Sequence, residues 1–177
     1  MSCFHYDHQS HHAPGAFEML GGDCILCRKI GSLPQAASPD CIFEFPQSVL
    51  FLGPWQYYRG YCVLVARWHA TELSQLAPQD RHAHLEEMCL AARAIEDAFR
   101  PKKMNYELLG NQVPHLHWHL VPRYADDPDF KHPIWVAIDR AKDDKSALRR
   151  LEQGSSDRAE TARILRNQLA ALMARRS

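Results

Sequence analysis

The sequence has no excess of charge of either sign: its 177 residues carry 21 Lys and Arg against 21 Asp and Glu. With a pI near 7.2, that balance excludes bulk electrostatic attraction to nucleic acid or to an anionic membrane. Long apolar runs are also missing. The best stretch, Cys62–Ala66, is far shorter than the ~18 residues of a membrane-spanning helix. The opening Met-Ser-Cys-Phe-His-Tyr-Asp-His has no basic region followed by an apolar one, so no secretory leader is expected. There is no internal repeat, and a chain that is 46% hydrophobic is too apolar to be disordered. Its length predicts one domain with a sizeable core and at most an appendage. Six cysteines without a leader read as reduced thiols, which places the protein in the cytoplasm. Against this background one residue type is overrepresented: there are 11 histidines.

The expected organisation has three parts. Residues 1–21 are polar and His-rich and run into Gly21-Gly22, so they read as a flexible arm whose His5, His8, His11 and His12 have no fixed scaffold. Residues 22–139 form the domain. A turn at Cys24–Cys27 is followed by short strands over 41–45, 48–52 and 61–67 and a helical turn at 71–76. From 79 to 99, Leu85, Met88, Cys89, Ala92, Ile95 and Phe99 recur at three and four, the stripe of an amphipathic helix in which Met88 and Cys89 fill core. Strands over 104–109 and 115–121 follow, joined by Gly110–Pro114. Residues 140–177 read as a polar linker and a helix with Ala162, Leu165, Leu169 and Leu172 in its stripe. This tail holds 10 basic and 5 acidic residues, so the overall neutrality conceals an acidic body and a basic tail.

The chemistry is concentrated in Pro114-His-Leu-His-Trp-His-Leu-Val121. Strict alternation makes this a strand, with Leu116, Trp118 and Leu120 facing the core and His115, His117 and His119 on the other face. Same-face neighbours lie about 6.5–7 Å apart, too far for three imidazoles to share one ion through bonds of about 2 Å. The row therefore reads as several jobs placed side by side. A neutral imidazole can attack a phosphoryl centre and give a labile phosphorus–nitrogen bond, while its neighbour binds phosphate oxygens or assists the leaving group. Cys24-x-x-Cys27 alone is ambiguous between a metal knuckle, a redox pair and chance.

His115-Leu-His-Trp-His-Leu-Val121, with Gly110–Pro114 before it, Pro122-Arg123 after it and Gly60–His69 upstream, resembles the signature of the histidine triad family of nucleotide hydrolases and transferases. The resemblance spans roughly residues 23–124 and is nearest to bacterial diadenosine tetraphosphate hydrolase-like members. It implies an α+β fold: an antiparallel sheet of about five strands, a long helix across it, and a homodimer. It further implies His117 as nucleophile on the α-phosphate and His119 as phosphate contact and leaving-group helper. Asn105, Asn111 and Gln112 would then bind substrate, and Cys24, Cys27, His69 and His115 would hold a structural zinc. No organic cofactor, nucleic acid or membrane partner is implied.

His119 in place of Gln favours the hydrolase branches over the sugar-phosphate transferases. The expected activity is hydrolysis at the α-phosphate of a dinucleoside polyphosphate or nucleotide conjugate, across an anhydride or phosphoramidate bond. The alternatives are a nucleotidyltransferase or phosphorylase, and a zinc-stabilised nucleotide-binding module without catalysis. One departure stands out. Where family members carry an Asp or Asn for the ribose hydroxyls, this chain has Leu52-Gly53-Pro54. The run Trp55–Tyr58 is left to stack on a base or to bury against the sheet, and Trp135 to fold over the site or to cap the core.

Overall fold

A computed structural model of the chain describes residues 4–5, 23–33, 38–152 and 157–175. The elements in order are β1 (Phe4–His5), α1 (Ile25–Gly31), β2 (Cys41–Glu44), β3 (Ser48–Leu52) and β4 (Cys62–Ala66). A 3-10 turn (Leu73–Gln75) leads into α2 (Pro78–Phe99), β5 (Lys103–Glu107) and β6 (His117–Arg123). Three helices complete the chain: α3 (Ile134–Asp143), α4 (Lys145–Glu152) and α5 (Arg158–Ala174). The sheet order is β1-β2-β3-β4-β6-β5; β2 to β6 pair antiparallel, and β1 adds a short parallel rung beside β2. The chain thus has the expected α+β fold, with five antiparallel strands and a long helix laid across them.

The period-two pattern of each strand sorts its residues between two covered faces. Ile42, Leu50, Leu52, Cys62, Leu64, Met104 and Leu120 face α2 and α5, meeting Ala91, Ile95, Leu165 and Leu169. Tight packing on the alanines Ala91, Ala92 and Ala94 brings α2 close to the sheet. On the opposite face, α1 covers Cys41, Val49, Phe51 and Val65 through Leu26 and Ile30. Farther along that face, α3 and α4 cover Tyr58, Tyr61 and Val121 through Ile134, Ala137, Ala141 and Leu151. Burying each such Leu or Ile contributes about 1.5–3 kcal/mol, so both layers are integral to the fold.

Four expectations are corrected. Cys89, read as core, is exposed, and His84 and Glu87 are buried instead. The inward stripe of α2 runs through 84, 87, 91 and 94–95, because small residues and a polar pair fit the close approach where Leu85 and Cys89 would not. The stretch after 140 is not a plain linker: α3 crosses it and α4 follows, with Ala147 and Leu151 buried at helical spacing. The last strand begins at His117, since His115 N–H bonds Val113 O in a turn. Finally, Cys41 is disulfide-bonded rather than a reduced thiol. Cys24, Cys27, Cys62 and Cys89 are free. His8, His11, His12 and the remainder of the arm lie outside the described residues.

The basic tail spends its charge on docking. Arg158 donates to Gly53 O and pairs with Asp40, and Arg166 donates to Pro39 O and Cys41 O. Among the described residues no helix is long and apolar enough to cross a membrane.

Candidate functional site

Strand β6 carries His117 and His119 on the face shared with Val63 and Val65 of β4 and Glu107 of β5. On this face α1 packs on one side and α3 and α4 on the other, with the two imidazoles between them opposite Val63 and Val65. Their rings meet edge-on, 4.9 Å between centroids.

His117 is largely buried, and its Nδ1 lies 2.5 Å from the carbonyl oxygen of His115. A carbonyl only accepts, so Nδ1 carries the proton and Nε2 keeps its lone pair. The turn that interrupts the strand at His115 is what aims that carbonyl at the ring.

His119 Nδ1 lies 2.7 Å from the Tyr61 hydroxyl, and its ring is flanked by His117 and by the indole of Trp135, 4.9 Å away. Burial, with His117 alongside, pushes His119 down to about 4, so the ring is neutral at pH 7. Trp135 donates its N–H to Glu107, which ties α3 to β5 beside His119. Trp135 therefore does fold back over the triad, while Trp55, Tyr57 and Tyr58 pack against α3 and α4.

Of the expected substrate contacts, Asn105 lies on the same face, two residues beyond Glu107. Its Oδ1 accepts from Arg123 Nη1, which turns the amide N–H groups outward. Asn105 also lines a cavity of about 360 Å³ between β5 and the Phe130–Pro133 loop. Asn111 and Gln112 are exposed in the loop before His115.

Arg123 is buried and fully employed. Asp127 takes Nε and Nη2, Asp129 O takes Nη2, and His132 O shares Nη1 with Asn105.

The Cys24, Cys27, His69 and His115 side chains converge, all four ligand atoms lying within 4.8 Å of one another. Cys24 Sγ and Cys27 Sγ each lie 3.4 Å from His115 Nδ1, and Cys27 Sγ lies 3.4 Å from His69 Nδ1. A tetrahedral zinc with bonds of about 2.3 Å to sulfur and 2.0–2.1 Å to nitrogen sets such pairs about 3.5 Å apart. The donor set fits in a second way. His115 Nε2 donates to Ala66 O at 2.9 Å, leaving Nδ1 as the ligating lone pair. Burial and the neighbouring Cys24 sulfur push the Cys27 thiol up to about 11, a cost that a divalent cation would reverse.

A family model described as HIT domain matches residues 35–126, more than half of the chain. The chain belongs to the HIT domain family. "Protein hit" of Bacillus subtilis (strain 168) is 27% identical over 114 residues, covering 61% of this chain and 76% of that relative. A histidine triad protein from Bradyrhizobium japonicum is 27% identical over 62% of this chain and 87% of its own, with a TM-score of 0.50. A zinc-bound histidine triad family protein from Mycobacterium smegmatis shares the fold at 21% identity and a TM-score of 0.59. That likeness covers 86% of this chain and 96% of the other. Membership supports nucleotide-processing chemistry of the superfamily, and the Cys/His cluster is compatible with zinc.

Sequence reasoning missed Tyr61, Arg123 and Glu107 as parts of this HIT site. Tyr61 shares the period-two register of Val63 and Val65, which already set it on the triad face. Arg123 and Glu107 gave no such signal, because their roles depend on the fold of the 127–135 segment.

Proposed function

We propose that this HIT protein is a nucleotide hydrolase that cleaves at the α-phosphate of a dinucleoside polyphosphate or nucleotide conjugate through a nucleotidyl-His117 intermediate. The observation that carries the reading is the Nδ1–H bond from His117 to His115 O. In this reading His117 Nε2 donates its lone pair to the α-phosphorus, and the bond to the leaving group breaks with its electron pair. The modified ring, carrying phosphorus on Nε2 and hydrogen on Nδ1, is an imidazolium whose charge the carbonyl supports. Water then adds to phosphorus and loses its proton to solvent, and the pair of the phosphorus–nitrogen bond returns to Nε2. His119 and the Asn105 amide supply N–H groups to phosphate oxygens, which suits a chain without a basic surface. Asn111 and Gln112 would join them on substrate binding.

In the same proposal Cys24, Cys27, His69 and His115 hold one structural zinc. Two thiolates and two imidazoles close its coordination, so the ion would only brace α1 against the turn that aims His115 O. A homodimer is supported by the edge of β5, unpaired among the described residues, beside which Tyr106 and Leu109 are exposed. The test is His117→Ala against a panel of labelled dinucleoside polyphosphates, with and without inorganic phosphate. Turnover is expected to fall at least ~10³-fold with folding and metal content intact; full activity would overturn the nucleophile. Products unaltered by phosphate mark water as the acceptor.

A further inference from the structure

We propose that Tyr61 is a positioning residue that presents His119 to the substrate as a neutral N–H donor at Nε2, in space left free by Gly53. The inference rests on the reading above, in which His119 faces the phosphate or the leaving group.

Two arrangements are compatible with the 2.7 Å contact between the Tyr61 hydroxyl and His119 Nδ1. Either the hydroxyl donates to Nδ1, or Nδ1–H donates to the hydroxyl oxygen. Tyr61 is buried, and among the described residues its hydroxyl has one hydrogen-bonding partner, His119. In the second arrangement its hydrogen would be buried without an acceptor, which costs about 1–3 kcal/mol. Tyr61 therefore donates, Nδ1 accepts, and the ring proton sits on Nε2, the nitrogen directed away from Tyr61. Burial raises the Tyr61 hydroxyl well above its ordinary value, with Glu107 adding to the effect, so it remains a donor.

Of the titratable groups facing the imidazole among the described residues, Glu107 alone would favour a cation. His117 lies beside it on β6 and offers no negative charge to support a cation. Glu107 is opposite on β5, and its carboxylate accepts from the Trp135 indole. From β4 the facing residue is Val63, and from α3 it is Trp135, neither of which titrates. Burial acts against a cation on His119 itself.

Room for this arrangement comes from residue 53. A Cβ on Gly53 would lie 2.6–2.8 Å from the Tyr61 ring, inside van der Waals contact. The Tyr61 ring thus lies over the position where the expected ribose-binding carboxylate is missing. The departure noted at Leu52-Gly53-Pro54 and the support of His119 are one structural feature.

A neutral Nε2–H stabilises charge on a phosphate oxygen but delivers no proton. The site then depends on leaving groups that depart as anions. The test uses the full-length, metal-loaded protein. Long-range 1H–15N correlation of labelled histidine is expected to show His119 as the Nε2–H tautomer at pH 7, and Tyr61→Phe to lose it. Tyr61→Phe should also lower kcat on a dinucleoside polyphosphate ~10-fold or more, with KM changed less. His119→Gln, which keeps a neutral N–H, should retain at least ten times the activity of His119→Ala, whose loss is ~10²–10³-fold. An imidazolium or Nδ1–H tautomer in the unsubstituted protein would overturn the proposal, as would equal losses for His119→Gln and His119→Ala. The resonance readout needs no turnover. An inactive protein with the expected tautomer would count against the hydrolase reading and leave the role of Tyr61 standing.

Discussion

The indole N–H of Trp118 donates to Nε2 of His84 across 3.1 Å, from the strand that carries the triad to the helix behind it. Ser48 Oγ lies 2.7 Å from the other ring nitrogen, so His84 joins α2, β3 and β6 in the buried layer. Trp118 stands between His117 and His119 in sequence and points the opposite way. Its tether therefore opposes any slip of β6 that would move both imidazoles. His84→Leu leaves the indole and the serine hydroxyl without their partner and should destabilise the protein by about 2 kcal/mol. Urea unfolding measures it; a change below about 0.5 kcal/mol would show that the tether contributes little.

His84 and Glu87, one turn apart, give opposite pH dependences. Burial pushes His84 down to about 4 from its ordinary 6.5, so the unfolded chain binds the extra proton in that window. The stability this supplies is complete above pH 6.5 and is lost as pH falls towards 4. Burial pushes Glu87 up to about 7 from 4.5, so its contribution is complete below 4.5 and is lost as pH rises through 7. Glu87→Gln keeps an acceptor for the Gln47 N–H and removes the ionisation. The variant should gain stability over the unsubstituted protein as pH rises from 4.5 to 8 and lose it more steeply than that protein on acidification. Chemical unfolding across that range checks the sign.

The buried Arg123–Asp127 pair, 2.6 Å apart, shares its guanidinium with Asn105, a proposed substrate contact. Arg123→Leu would strand the Asp127 carboxylate and release Asn105, at a cost of about 3–5 kcal/mol. Asn105→Asp is the milder probe. It keeps an oxygen for Arg123 but turns the outward amide into an acceptor. A KM for an anionic substrate raised ~10-fold with Tm nearly unchanged is the expected result.

For the metal, protein purified without an affinity tag should contain one zinc per chain, and Cys27→Ser should lose it. Chelation should lower Tm and reduce turnover together, because the turn that positions His115 O is built on the same ligands. Retention of full zinc in Cys27→Ser would contradict the ligand set.

The strands and the triad were legible because each carries a short period in its own residues. Alternation at 115–121 sorts the histidines from Leu116, Trp118 and Leu120, and the fold keeps that sorting from His117 to Leu120. The ligand set was reachable only through the family resemblance, since Cys24 and His115 are 91 residues apart. What stayed hidden depends on tertiary placement. Periodicity on α2 pointed to Leu85 and Cys89, but the close approach of the sheet to Ala91 and Ala94 turns His84 and Glu87 inward instead. The charge of the tail hid its purpose for a similar reason. Arg158 and Arg166 bind carbonyls more than 100 residues away, which no local pattern records.

The central claim is that His117 forms a covalent bond to the nucleotide, and rapid quenching tests it most directly. The protein is mixed with a dinucleoside polyphosphate labelled at the α-phosphate, quenched within milliseconds and mapped by mass spectrometry. The account predicts an acid-labile nucleotidyl group on His117, at no more than one per chain, that forms before product appears and is absent from His117→Ala. Label on another residue, or product release with no adduct at any time, would contradict it.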